Sequence, residues 1–142
     1  MEIKFKKLFP SAKQPRRAYD TDAGFDLFSV EDCIVNRNGI TIIPTGIAVE
    51  IPPGYEMQIR PRSGLAALYG FVVVNSPGTI DSGYRGEIKV IACLVGSNES
   101  LHVHKGEGIA QAVIYKLPDV SFVEVETLSD SARGTKGMGS TG

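Results

Sequence analysis

The sequence predicts an all-β sandwich or barrel, and three observations carry that reading. Short β-branched runs recur along its 142 residues. Clusters of Gly, Pro and Asn, as in "NRNG", "IPPG" and "NSPG", separate them. Nothing looks like a crossover helix of normal length, and many short strands with frequent turns favour a sandwich or barrel.

Taken in order, "ITII" (40–43), "IAVEI" (47–51) and "YEMQI" (55–59) are strand candidates. In the last, alternation puts Tyr55, Met57 and Ile59 on one face and Glu56 and Gln58 on the other. "RSGLAALYG" (62–70) is the one helical candidate, with Ser63 as its cap and Gly70 as its stop. A helix this short needs the surrounding sheet to hold it. "FVVV" (71–74), "EIKVIACLV" (87–95), "IAQAVIYKL" (109–117) and "SFVEVE" (121–126) resume the strand pattern. The final twelve residues, "SARGTKGMGSTG", hold four glycines and almost no apolar content, so on their own they should be mobile.

The length fits one domain. A net charge of −1 argues against a broad nucleic-acid or anionic-membrane surface, while leaving room for a small anion held by local arginines. No apolar run approaches a membrane span, and "MEIKFKKLF" carries no secretory core, so the cytoplasm is the expected compartment. Cys33 and Cys93 lie in apolar runs and read as reduced core residues; one disulfide in a secreted chain is the alternative.

Several short stretches carry chemistry. "RPRSGLA" sets Arg60 and Arg62 around a proline, with Ser63 at the start of the candidate helix. That is either an anion site or an ordinary capped helix beside surface arginines. Asp26, between Phe25 and Leu27, is a solvated strand residue or a carboxylate that helps hold Mg2+ through water. In "NSPGTIDSGYRGEIKV", Asp81 closes a small apolar patch hemmed by Pro77 and Gly78, and Tyr84 follows. A loop-rim Asp can orient and deprotonate a water, but a carboxylate is a weak base and needs charge help from a metal or arginine. A tight turn with a core tyrosine is the plainer reading. His102 and His104 alternate on one strand face, and with no third ligand nearby they read as surface residues. The tail can wrap phosphate oxygens with its backbone, hydroxyls and Arg133, or simply fray.

Together these stretches resemble the homotrimeric all-β deoxyuridine triphosphate nucleotidohydrolases (dUTPases). Five motifs stand in family order over nearly the whole chain: "AGFDL", "RPRSGLA", "GTIDSGYRGE", "KGEGIAQAVI" and "RGTKGMGSTG". The resemblance implies a distorted jelly-roll-like β-barrel with one short helix, a body over residues 1–130, and a flexible Gly-rich arm over 131–142 that closes a neighbour's active site. It implies a homotrimer with shared sites, dUTP as substrate, dUMP and pyrophosphate as products, and Mg2+ as cofactor. Asp81 matches the residue that activates the attacking water. Tyr84 matches the aromatic that packs on the deoxyribose where a 2′-hydroxyl would clash. Asn75, Gly78, Thr79 and Ile80 match the hairpin that reads uracil. Arg62, Ser63, Gly64 and Gln111 match triphosphate contacts, and Asp26 matches the acid that holds Mg2+ through water. Arg133, Met138, Gly139, Ser140 and Thr141 match the closing arm.

Two positions depart from the family pattern. Met138 stands where a Phe usually stacks on uracil, and Gly108 stands where motif four usually has Arg. A deaminase of dCTP shares the fold, but it expects a glutamate base and an altered "RSGLA". A non-catalytic nucleotide-binding trimer would not need Asp81.

Overall fold

A computed structural model describes residues 1–138; Gly139, Ser140 and Thr141, three of the expected arm contacts, lie outside the described residues. The chain folds as strands with one short helix, in the order β1 (Lys4–Lys7), β2 (Phe25–Phe28), β3 (Cys33–Asn36), β4 (Thr41–Pro44), β5 (Ile47–Glu50), β6 (Tyr55–Arg60), α1 (Ser63–Tyr69), β7 (Phe71–Val73), β8 (Gly78–Ile80), β9 (Lys89–Leu94), β10 (Ser100–Val103) and β11 (Gly108–Lys116). All pairings are antiparallel. A four-stranded sheet runs β2-β11-β6-β8 and a three-stranded sheet runs β4-β9-β7, with β1-β5 and β3-β10 as separate pairs. The strands are distributed over several short sheets around one core, which is the jelly-roll-like arrangement expected.

The core is drawn from almost every strand. Leu27, Val35, Ile43, Ile47, Ile59, Phe71, Val90 and Ile109 are all buried in one cluster. The alternation read in β6 holds: Met57 and Ile59 are buried, while Glu56 and Gln58 are half-buried on the opposite face. Gln58 donates to Glu56 at 2.7 Å and accepts from Arg60 at 2.7 Å, so polar side chains also run along that outer face. No helix among the described residues is long and apolar enough to cross a membrane.

Four expectations need correction. "SFVEVE" forms no strand: residues 117–130 have no regular secondary structure and are exposed, and Phe122 is fully so. A β-prone run becomes a strand only where it finds a partner edge, and among the described residues this run pairs with none. Ser63 does not cap α1. It is the first helical residue, and the N-cap is Arg62, which makes no side-chain cap bond. The stretch from Asn75 to Tyr84 is not a regular hairpin, because β8 pairs with β6 while β9, the next strand, pairs with β4 and β7. Cys33 and Cys93 are free but only half-buried; burial, with Glu31 and Asp32 nearby, pushes the Cys33 thiol above its ordinary range.

Gly70 does stop the helix. It sits at φ 67° and its N–H bonds back to the Ala66 and Leu65 carbonyls. A side chain there would also run into the Val95 carbonyl, so only glycine satisfies both demands.

Candidate active site

The chemistry-bearing side chains fall into three groups. The first lies where β2, β11 and the end of β6 meet. Gln111 pairs in register with Asp26 on one side and with Arg60 on the other, so the three share a level across the sheet. Asp26 is held on both sides of its backbone, since an isolated bridge to Arg16 supplies a 2.7 Å bond from the Asp26 N–H. Pro61 ends β6, and the chain turns through extended Arg62 into α1.

These residues line a cleft of ≈ 330 Å³ formed by Asp26, Arg62, Ser63, Gly64, Leu65 and Gln111. Arg62 spans it. Its Nε lies 3.2 Å from Asp26 Oδ1, and its Nη1 donates to the Gly108 carbonyl at 2.7 Å. Gln111 Nε2 donates to the Pro61 carbonyl at 2.9 Å, which fixes the amide and ties β11 to the turn. The space in front of Gly64 is open, since a side chain there would meet nothing within 4 Å. Ser63 and Gly64 are exposed at the cleft mouth. A guanidinium, a hydroxyl, an amide and free backbone facing one open cleft suit a chain of phosphate oxygens.

The second group surrounds β8, the edge strand of the four-stranded sheet. An edge leaves alternate backbone N–H and C=O groups free of the ladder, so Gly78, Thr79 and Ile80 can offer main-chain bonds to a planar ligand edge. Gly78 is buried, and a side chain on it would crowd the Asn75 amide. Asp81 follows at the strand end, exposed, and opens a turn in which the Tyr84 N–H bonds the Asp81 carbonyl at 3.1 Å. Arg85 Nη1 holds the same turn through the Ser82 and Tyr84 carbonyls at 2.6 and 3.0 Å. Tyr84 lies over Gly86 and donates its hydroxyl to the Glu87 carbonyl at 2.9 Å.

The third group is the end of the chain. Arg133 Nε donates to the Lys136 carbonyl at 2.9 Å, and Met138 sits fully exposed at φ 45°.

Within one chain the first two groups do not meet. Ile80 pairs with Met57, so Asp81 lies one residue beyond that level, near the start of β6. Arg62 lies past the other end. At the strand rise, the four steps from Glu56 to Arg60 alone span about 13 Å, and Arg62 lies two steps further on. A water within hydrogen-bond reach of Asp81 therefore cannot also touch a phosphate held at Arg62 of the same chain.

Sequence reading missed Gly108 as a contact, because it saw there only a missing cation. It also missed Gly24 and Gly86, whose lack of a side chain leaves room for the Gln111 amide and the Tyr84 ring. A glycine whose part is to leave room for a neighbour carries no pattern that announces it.

A family model described as dUTPase matches residues 11–142. The chain is 52% identical to the deoxyuridine 5′-triphosphate nucleotidohydrolase of Nautilia profundicola, over 100% of this chain and 99% of that protein. It is 49% identical to the protein of the same description from Helicobacter hepaticus, over 100% of this chain and 89% of the other. Among solved structures, a variant of the Staphylococcus bacteriophage 80alpha dUTPase with dUpNHpp superposes at a TM-score of 0.87 and 30% identity, covering 99% of this chain and 98% of that one. A dUTPase variant from phage phi11 of S. aureus, described with a structural Mg(II) ion, superposes at 0.81 and 25% identity, over 89% of this chain and 98% of that one.

Proposed function

The chain belongs to the dUTPase family and hydrolyses dUTP to dUMP and pyrophosphate; we propose that it does so in a site shared between copies, with Asp81 of one chain facing the Arg62 cleft of another. The observation that carries this reading is the separation along β6 of Asp81 from the cleft. Each copy holds half a site at each end of that strand, and a closed trimer would bring unlike halves together.

The division of labour in this proposal sets the roles that the family resemblance implies onto this geometry. The β8 edge from Gly78 to Ile80, with Asn75, takes the uracil edge through main-chain bonds. Tyr84 packs on the sugar, where a 2′-hydroxyl would collide with its ring. Asp81 holds the water and takes its proton as the water oxygen bonds the α-phosphorus. The bond from that phosphorus to the bridging oxygen breaks, and pyrophosphate leaves on Arg62, Ser63, Gly64 and Gln111. Charge that builds on the phosphate oxygens is met by Arg62 in the cleft and by Arg133 from the arm.

Asp26 fits a role toward Mg2+ only through water. It is one carboxylate in an open cleft, and the described residues hold no cluster of three ligating side chains. That suits an ion bound chiefly by water and phosphate oxygens. When bound it would supply charge that polarises the phosphate oxygens.

Residues 1–130 act as the body and 131–142 as an arm that covers a neighbour's site. In this arm Met138 lies over uracil, and Gly139, Ser140 and Thr141 join Arg133 on the outer phosphates. The proposed location is the cytoplasm, where two free thiols stay reduced. No nucleic acid is required as a partner.

Incubation with dUTP, dTTP, dCTP and UTP, with products separated by chromatography, tests the reaction. Release of dUDP and phosphate, or equal turnover of dTTP, overturns it. Light scattering at working concentration should report three subunits, and a fully active monomer overturns the shared site.

A further inference from the structure

We propose that Gly108 is a positioning residue: by lacking a side chain it creates the slot in which Arg62 is docked before any nucleotide arrives. A side chain built on Gly108 would overlap the Arg62 guanidinium at Nη1. The same guanidinium donates to the Gly108 carbonyl at 2.7 Å and meets Asp26 at 3.2 Å. One backbone therefore supplies both the space and one of two anchors, and Asp26 supplies the other.

Gly108 is placed for this by an irregularity in the sheet. The β11-β2 register shifts between Gly108 and Ala110, so the ladder is irregular beside the carbonyl that accepts from Arg62. Gly108 does not need its glycine for backbone reasons, since it is not among the residues with positive φ. What this chain uses here is emptiness, at a position where motif four of the family usually carries an Arg. Arg62 also forms the wall between the phosphate cleft and a second cavity of ≈ 380 Å³, lined by Tyr69, His102, His104, Glu107 and Gly108. Undocked, its long side chain has that second space to wander into; docked, it presents a fixed fork to the cleft. A preorganised guanidinium loses less conformational freedom when a phosphate binds, so the dock strengthens substrate binding without touching substrate.

The inference rests on the reading of Arg62 as a phosphate contact, and a double-mutant cycle separates the two. Gly108→Ala and Arg62→Gln are made singly and together, and the Kd for dUpNHpp and the KM and kcat for dUTP are measured. Gly108→Ala should weaken analogue binding and raise KM by about tenfold, the scale of one hydrogen bond to a charged group. In the Arg62→Gln background it should add almost nothing, because no guanidinium remains to displace. Full additivity, or an unchanged Kd in Gly108→Ala, overturns the dock. If Arg62→Gln alone leaves binding intact, the phosphate reading itself fails. Should Gly108→Ala not fold, nitrogen NMR of the nucleotide-free wild type decides. A docked Arg62 shows distinct, slowly rotating Nη signals, assigned by their loss in Arg62→Gln; averaged signals overturn the dock.

Discussion

Changing Gly86 to Ala should loosen the enzyme's grip on sugar identity more than its fold. A Cβ at this position would stand 2.5 Å from Tyr84 Cζ. Ordinary carbon contacts lie near 3.5 Å, so the ring must move by about 1 Å. Its hydroxyl then leaves the Glu87 carbonyl, now 2.9 Å away. The ring is 44% exposed and can swing outward, so the stability cost should stay near that of one hydrogen bond, about 1 kcal/mol. Gly86 is not at positive φ, so alanine adds no backbone strain of its own. Selectivity is more sensitive, because a wall displaced by about 1 Å no longer excludes a hydroxyl. The ratio of kcat/KM for dUTP to that for UTP should fall by about tenfold, while dUTP turnover falls less. Steady-state kinetics on both nucleotides, with Tyr84→Ala alongside and a urea melt as control, gives the answer. If Tyr84→Ala lowers the ratio and Gly86→Ala does not, Gly86 does not set the ring. If neither lowers it, the wall against the 2′-hydroxyl is elsewhere.

Replacing Asp81 by Asn should cost about 10²–10⁴ in kcat, the usual loss for a general base, while calorimetry shows dUpNHpp still bound; retention of more than a tenth of the rate would remove Asp81 from that role. Ending the chain at residue 132 should depress kcat/KM far more than Met138→Ala, since it removes the charges and the cover together, and full activity in the truncated protein would mean the end of the chain is a plain terminus. Met138→Phe should tighten analogue binding modestly, by a fraction of the roughly 1–3 kcal/mol that an aromatic stack on a base supplies; unchanged affinity would place that side chain away from the uracil.

Much of the fold was legible because β-branched runs and turn residues agree along most of the chain. The run of β6 and the stop at Gly70 are cases in which local pattern and tertiary structure ask for the same thing. Other elements were hidden for identifiable reasons. β1, "KFKK", is exposed at every position and is a strand only because β5 offers it an edge. "SFVEVE" has the better pattern but no partner strand among the described residues, so it stays unpaired. Ser63 looked like a cap, but Pro61 ends β6 early enough for Arg62 to take that place. The residues of the Arg62 cleft were legible as types in motifs, and the structure gathers Asp26, Arg62, Ser63, Gly64 and Gln111 in one place. Their distance from Asp81 was not legible, because it depends on strand register. Nor was the Gly108 slot, since empty space leaves no mark on a one-dimensional pattern.

The antiparallel pairing of β8 with β6 has a genetic consequence. If the two half-sites at opposite ends of that strand serve different assemblies of the same trimer, lesions at the two ends repair one another. A chain crippled at Asp81 still lends an intact cleft, and a chain crippled at Arg62 still lends an intact carboxylate. Mixed at random in equal amounts, they restore about a quarter of the sites in a symmetric ring. Two such alleles expressed together would complement, and a classical complementation test would assign a single locus to two genes.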